Sequence, residues 1–294
     1  MLIDAAGLYF RAYYAVPESV TAPDGMPVNA IRGYLDMTAS LVVRRRPSRY
    51  VACLDLDWRP AFRTALLPSY KAHRVAPTGG EAVPDSLSAQ VPVLLAVLAA
   101  LGLATAGAEG FEADDVIATL AARETEPVEI VTGDRDLMAL ATDNVRVLYT
   151  GRGLAKLEDL GPAEVEAKYG VPARYYADFA ALRGDPSDGL AGVKGIGDKA
   201  AAAIVARFGP IESIVVAAAE EPDRFPAGAA AKVMAAQQYL NAATAVVRGR
   251  IDLDLAPLRD ELPVAPADAE RLVELVEVYG LDRSVNRVLA ALKR

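Results

Sequence analysis

The chain predicts an α/β domain built on a mostly parallel sheet, followed by a helical domain. Three observations carry this: short β-rich runs in the first half, amphipathic helical windows between them, and the near disappearance of strand signals after about Leu160. At 294 residues, and at about 100 to 200 residues per domain, two domains are expected, residues 1–159 and residues 160–294.

Strands are expected at residues 1–4, 50–55, 103–106, 128–132 and 145–149. Between them, residues 29–45 place Ile31, Tyr34, Leu35, Leu41 and Val42 on one helical face, and residues 114–123 do the same with Val116, Ile117 and Leu120. Residues 86–108 carry no charge, which raises a membrane span. No Lys or Arg closely flanks them, Pro92 suits a first helical turn and Gly102 a stop, so a buried helix followed by a strand is expected instead. Residues 68–85, rich in Pro, Gly and basic side chains, read as an exposed connection of the kind that carries function. The second half reads as helices at 162–169, 172–183, 198–208 and 229–244, with another amphipathic helix at the end of the tail.

Composition narrows the chemistry. With 53% hydrophobic and 24% charged residues, intrinsic disorder is excluded. The net charge of −8 argues against a generic basic nucleic-acid coat or a membrane-surface binder. One cysteine, Cys53, lies in an apolar run and reads as a buried inert thiol in a reducing compartment. A single histidine, His73, excludes most Ser-His-Asp, Cys-His and multi-histidine zinc sites, which leaves carboxylates, Lys, Arg and Tyr. Met1-Leu2-Ile3-Asp4 has neither the basic lead nor the cleavage site of a secretory signal, so a cytoplasmic location is expected.

Acids cluster where strands end. Asp4 ends the first strand and Asp55 the second, and Asp134 and Asp136 follow the fourth through Thr132-Gly133, at the rim where open α/β sheets bind ligands. Glu112, Asp114 and Asp115 lead the helix before that strand. Any one of them is explained as a helix cap. The set is not, because like charges on one rim cost energy unless a raised pKa or a bound cation offsets them. All-oxygen donors without a Cys or His cluster favour Mg2+ or Mn2+ over zinc. A further pair, Asp185 and Asp188, sits in Gly184-Asp185-Pro186-Ser187-Asp188-Gly189, which an ordinary turn would also explain.

That turn leads into Gly192-Val193-Lys194-Gly195-Ile196-Gly197 before the helix at 198–208, a helix-hairpin-helix signal. Glycines admit close backbone approach and the helix N-terminus offers free N–H groups, a combination suited to a phosphate and blind to base sequence. A Walker A loop fails, because Asp198 stands where Lys is required. Lys71 and Arg74 in the exposed connection are candidates to grip a phosphate, as is Arg11 after the first strand end, while His73 receives no role. Without the nine acids named above the formal charge changes from −8 to +1, so the acidic balance does not exclude a nucleic-acid substrate held locally.

These residues resemble the bacterial 5'-3' exonuclease and flap endonuclease family, which includes the 5'-nuclease domain of DNA polymerase I. The likeness runs from Leu2 to about Ala218 through Phe62-Arg63, Tyr70-Lys71-Ala72-His73-Arg74, Glu112-Ala113-Asp114-Asp115, Thr132-Gly133-Asp134-Arg135-Asp136 and Gly184-Asp185 through Gly197. It implies a PIN-like nuclease domain with a helical arch, a helix-three-turn-helix DNA-binding domain, and two divalent metals cutting a 5' flap, nick or 5' end in replication and repair. Asp4, Asp55, Glu112 and Asp114 would bind the first metal, with Asp115 near it. Asp134, Asp136, Asp185 and Asp188 would build the second site. Lys71 and Arg74 would orient the scissile phosphate. Arg11, Tyr70 and Gly192 to Gly197 with Lys199 would contact DNA, with a potassium ion at the hairpin. A monomer without membrane attachment is expected.

The departures are local. Ala5 follows Asp4 where the family has Gly, and the strand before it is short, which leaves open a start further upstream. Leu54-Asp55-Leu56-Asp57 carries one residue more than the commonest pattern, and strand position assigns the role to Asp55 over Asp57. Gly189 replaces a frequent Asn. No polymerase domain follows, so a free-standing nuclease is expected. Two other readings remain at this point: a structure-specific DNA-binding protein with weak or no nuclease activity, separated by metal-dependent product, and a PIN-type ribonuclease, separated by RNA against DNA flaps.

Overall fold

Six strands form one sheet, β1 (Leu2–Asp4), β2 (Val51–Cys53), β3 (Ala104–Ala106), β4 (Val128–Thr132), β5 (Val145–Tyr149) and β6 (Glu158–Leu160), in a computed structural model that describes residues 1–293. Their order is β3-β2-β1-β4-β5-β6. The first five run parallel and β6 pairs antiparallel with β5. Five of the six were expected. Strand order reverses between β1 and β4, so the carboxyl ends of these two strands flank the crevice where such a sheet binds ligands.

Successive strand residues feed two cores. Ile3, Ala52, Val131 and Leu148 face one apolar layer, whereas Leu2, Val51, Cys53 and Ile130 face the other. Helices α1 (Ala5–Ala15), α2 (Asn29–Arg45), α3 (Ala61–Leu66), α4 (Asp85–Leu101) and α5 (Ala113–Arg123) accompany the sheet. Then follow α6 (Pro162–Tyr169), α7 (Tyr176–Arg183), α8 (Asp198–Phe208), α9 (Ile211–Glu220), α10 (Ala229–Ala235), α11 (Gln237–Val247), α12 (Ala269–Tyr279) and α13 (Asp282–Leu292). Phe179, Leu182, Ile204, Ile214 and Leu240 build a core for α7 to α11 that is continuous with the sheet through Met138 and Val147.

Several expectations are corrected in detail. Pro92 lies inside α4 and not in its first turn, because the helix already starts at Asp85 behind Pro84. Gly102 does end it, at φ 82°. The single helix expected at 229–244 is two, broken at Ala236. The tail does not continue the helical domain, since Leu272, Leu275, Val285 and Val288 of α12 and α13 join the core of α2 and α4. The connection at 68–85 is not wholly exposed: it holds a 3-10 turn at Ala72–Arg74 and buries Tyr70. Among the described residues, no single helix is long and apolar enough to cross a membrane.

Candidate active site

A cavity of about 520 Å³ opens at the carboxyl ends of β1 and β4, and Asp4, Asp55, Glu112, Asp114, Asp134 and Asp185 line it. Backbone geometry places each acid. Asp4 ends β1 and caps α1, its Oδ1 accepting the Gly7 N–H at 2.8 Å. A Cβ on Gly7 would come within 2.4 Å of Asp4 Oδ2, so the glycine keeps room for the carboxylate. The Thr132 hydroxyl donates to Asp4 Oδ2 at 2.8 Å and accepts the Asp134 N–H at 2.8 Å, tying the ends of β1 and β4 together. Asp55 accepts the Ala113 N–H at 2.6 Å, which sets it beside the first turn of α5. Asp57 accepts the Arg59 N–H within its own turn and does not line the cleft, whereas Asp55 does.

Glu112 is the N-cap of α5. Its Oε2 accepts the Tyr70 hydroxyl at 2.8 Å and lies 2.6 Å from Arg63 Nη1, and its Oε1 contacts the Lys71 ammonium. Asp185 accepts from Arg135 Nη2 at 2.8 Å and from the Ser187 N–H at 3.0 Å. Asp188 pairs with Arg74 at 3.1 Å, and its carbonyl accepts the Lys71 N–H at 3.0 Å. The turn bearing these acids thus docks directly on the Tyr70-Lys71 segment. A Cβ on Gly189, where φ is 73°, would meet the Ser69 carbonyl oxygen at 2.3 Å, so only glycine permits this approach.

The acids repel one another. Burial, then Asp55 and Asp134, push Asp4 up to about 6. Burial, followed by Asp134 and Asp4, holds Asp114 well above the usual carboxylate range, and burial with Asp134 and Asp188 does the same for Asp136. Burial drives Glu112 up to about 7, although Lys71 and Arg63 pull it down. Asp136 Oδ1 is buried without a hydrogen-bond partner among the described residues. Crowded carboxylates with an orphaned oxygen fit a hard divalent cation. Asp136 and Asp188 lie outside the lining of the cleft, and among the described residues no three acidic, His or Cys side chains already close on one point.

Four expected positions are placed differently. Asp115 does not line the cleft: it is fully buried, its two oxygens receive Arg63 at 2.7 and 2.8 Å, and it also accepts the Arg250 N–H at 2.9 Å. A carboxylate so occupied is a structural anchor. Tyr70 is 4% exposed with its hydroxyl on Glu112, so it orients that acid and presents no face to DNA. Val193 and Ile196 bury their side chains in the helical core and their N–H groups donate to the Leu182 and Val193 carbonyls at 2.9 Å, so neither residue is free to contact DNA. Gly192 and Gly195 take φ of 69° and 79°, and a Cβ on Gly192 would lie 2.5 Å from the Arg183 carbonyl oxygen. The hairpin therefore packs backbone to backbone on the turn that carries Asp185. Lys194, Gly197 and Lys199 are exposed beside it, at the start of α8. Arg11 is half-buried near Gly133, with its Nε unpartnered among the described residues.

The cleft also contains Phe10, Trp58, Glu81, Arg135 and Tyr149, none of which the reading of the sequence singled out as site residues. Only two left a signal: Trp58 is the sole tryptophan, and Arg135 lies inside the Thr132 to Asp136 segment. A larger cavity of about 600 Å³ lies at the opposite, amino end of the strands, against Leu2, Val51 and Val128, and holds none of the expected site residues.

Known proteins resemble this chain along nearly its whole length. The family model described as 5'-3' exonuclease, N-terminal resolvase-like domain, matches residues 1–170, and that described as 5'-3' exonuclease, C-terminal SAM fold, matches residues 171–270. A 5'-3' exonuclease of Mycobacterium tuberculosis is 49% identical over 99% of this chain and 97% of its own length. One of Streptomyces coelicolor is 51% identical over 99% of both. The fold is similar to that of the T5 D15 protein co-crystallised with metal ions, at a TM-score of 0.64 and 18% identity, over 99% of this chain and 98% of that one.

Proposed function

The chain belongs to the 5'-3' exonuclease family, and on that premise we propose that it hydrolyses DNA phosphodiesters at 5' ends, nicks and 5' flaps, in replication and repair, with divalent metal ions. The observation that carries the proposal is the convergence of Asp4, Asp55, Glu112, Asp114, Asp134 and Asp185 on one cleft between β1 and β4. Asp4, Asp55, Glu112 and Asp114 would hold one ion, and Asp134, Asp136, Asp185 and Asp188 a second. The all-oxygen donor set favours Mg2+ or Mn2+. Bound there, such ions supply Lewis-acid charge neutralisation and a more acidic water.

The remaining work falls to the chain. Lys71 and Arg74 draw the phosphate in against the acids. Burial works against the Lys71 ammonium, but Glu112, Asp188 and Asp114 outweigh it and raise its pKa, so the charge persists at neutral pH. A fixed cation in a partly dry cleft stabilises charge developing on a phosphoryl group. The glycine hairpin engages its Gly192, Val193 and Ile196 N–H groups within the fold, so with Lys194 and Lys199 it would hold the duplex backbone through the N–H groups at the start of α8, without reading sequence and with potassium as an auxiliary ion. The helical region from residue 160 to α11 is the part we assign to duplex binding, and the cytoplasm is the place of action.

Cleavage of a labelled 5'-flap DNA in Mg2+, stopped by chelation, tests this reading, with nicked, blunt and RNA-flap substrates beside it. Asp134→Ala should reduce turnover by at least about 100-fold. Full activity in that variant would contradict the mechanism.

A further inference from the structure

Arg63 is the largest of the fully buried side chains, at 2% exposure. Every nitrogen of its guanidinium is engaged. Nη1 reaches Glu112 Oε2 at 2.6 Å and Asp115 Oδ2 at 2.7 Å, Nη2 reaches Asp115 Oδ1 at 2.8 Å, and Nε donates to the Val246 carbonyl at 2.8 Å. Asp115 in turn accepts the Glu112 N–H at 3.2 Å and the Arg250 N–H at 2.9 Å. One side chain from α3 therefore joins the N-terminus of α5 to the C-terminal end of α11 and the segment after it.

Stability alone does not account for this arrangement, because apolar residues of similar volume often replace a buried ion pair without loss. A planar fork does what an apolar side chain cannot, which is to fix the orientation of a carboxylate. Arg63 and Tyr70 both hold Glu112 Oε2, which leaves Oε1 to Lys71 at the cleft. We propose that Arg63 is a positioning residue, which keeps Glu112 in the rotamer that faces the cation site and links that carboxylate to the helical region. This rests on the proposed function, in which Glu112 is a metal-facing acid.

The test uses full-length Arg63→Gln and Arg63→Lys. Mn2+ affinity is measured by calorimetry without DNA, alongside the Mg2+ midpoint, kcat and KM for flap cleavage. Arg63→Gln should weaken Mn2+ binding by about 10- to 100-fold, the range for groups that orient metal ligands, and raise the Mg2+ midpoint while KM for DNA stays unchanged. Arg63→Lys retains a charge but not the fork, and should shift both metal readouts in the same direction by less. A purely structural role would lower the folded fraction and leave the metal affinity of the folded protein alone. Wild-type Mn2+ affinity and Mg2+ midpoint in folded Arg63→Gln would overturn the inference, and where that variant does not fold, wild-type values in Arg63→Lys would do so. A wild-type protein that neither binds Mn2+ nor cuts a flap would instead overturn the proposed function.

Discussion

Replacing Lys71 by methionine keeps most of the side-chain volume and removes the charge. The side chain is 13% exposed and its ammonium is in contact with Glu112, so little solvent screens it from the cleft. Removal of one fixed, preorganised donor from a site of this kind lowers kcat by about 100- to 1,000-fold, roughly 3 to 4 kcal/mol. A second effect follows from the same contact. Burial already holds Glu112 up at about 7 while Lys71 and Arg63 pull it down, so losing Lys71 moves it further up, and protons compete with metal over a wider range. The acid limb of the pH–rate profile should therefore move to higher pH at fixed Mg2+. Single-turnover cleavage of a 5'-flap DNA between pH 6 and 9 reads both effects. The backbone at Lys71 is left-handed, φ 48°, and methionine is an L-residue like lysine, so the comparison leaves that strain unchanged. Unchanged kcat with an unmoved acid limb would refute the reasoning.

Gly192→Ala should destabilise the protein by more than the roughly 1 to 2 kcal/mol that a left-handed backbone costs an L-residue, since its Cβ would also meet the Arg183 carbonyl at 2.5 Å; urea unfolding measures the loss, and wild-type stability would contradict the close approach. The metal-free protein should lose stability as pH rises from about 4 to about 7. Asp4 binds its proton more tightly folded, at about 6 against an ordinary 3.8, so the effect is roughly 3 kcal/mol for that group, and Mg2+ should restore it in thermal melts. Trp58, the only tryptophan, lines the cleft, so its emission should change when 5'-flap DNA is added in Ca2+; tight binding without any change would place the DNA elsewhere.

Much of the architecture was legible because parallel strands buried on both faces are continuous apolar runs. Val128–Thr132 and Val145–Tyr149 lie where the pattern put them, and α2, α6 and α8 keep their expected ends. Strand β6 is a charged, three-residue edge, Glu158–Leu160, and leaves no such run. The break at Ala236 between α10 and α11 is hidden by alanine-rich sequence that favours helix on both sides. The packing of α12 and α13 on α2 and α4 depends on contacts across most of the chain, which local periodicity does not encode.

The site was readable to the extent that position along a strand determines direction. Asp4 and Asp134 end up beside one another because the sheet brings the carboxyl ends of β1 and β4 together. Asp114 and Asp115 are adjacent in sequence but about 100° apart around the helix, so one faces the cleft and the other faces Arg63, 52 positions away. No spacing rule separates these two. Tyr70 sits in a connection whose composition reads as exposed, yet the buried Glu112 carboxylate draws its hydroxyl inward. Trp58 and Glu81 reach the cleft from loops, where no periodicity indicates direction.

Anomalous diffraction from crystals soaked in Mn2+ shows whether the acids of the cleft bind a pair of ions. Two peaks about 3.5 to 4 Å apart are predicted, one against Asp4, Asp55, Glu112 and Asp114 and the other against Asp134, Asp136, Asp185 and Asp188, with none at Asp115. An empty cleft, with manganese bound only elsewhere, would contradict the account.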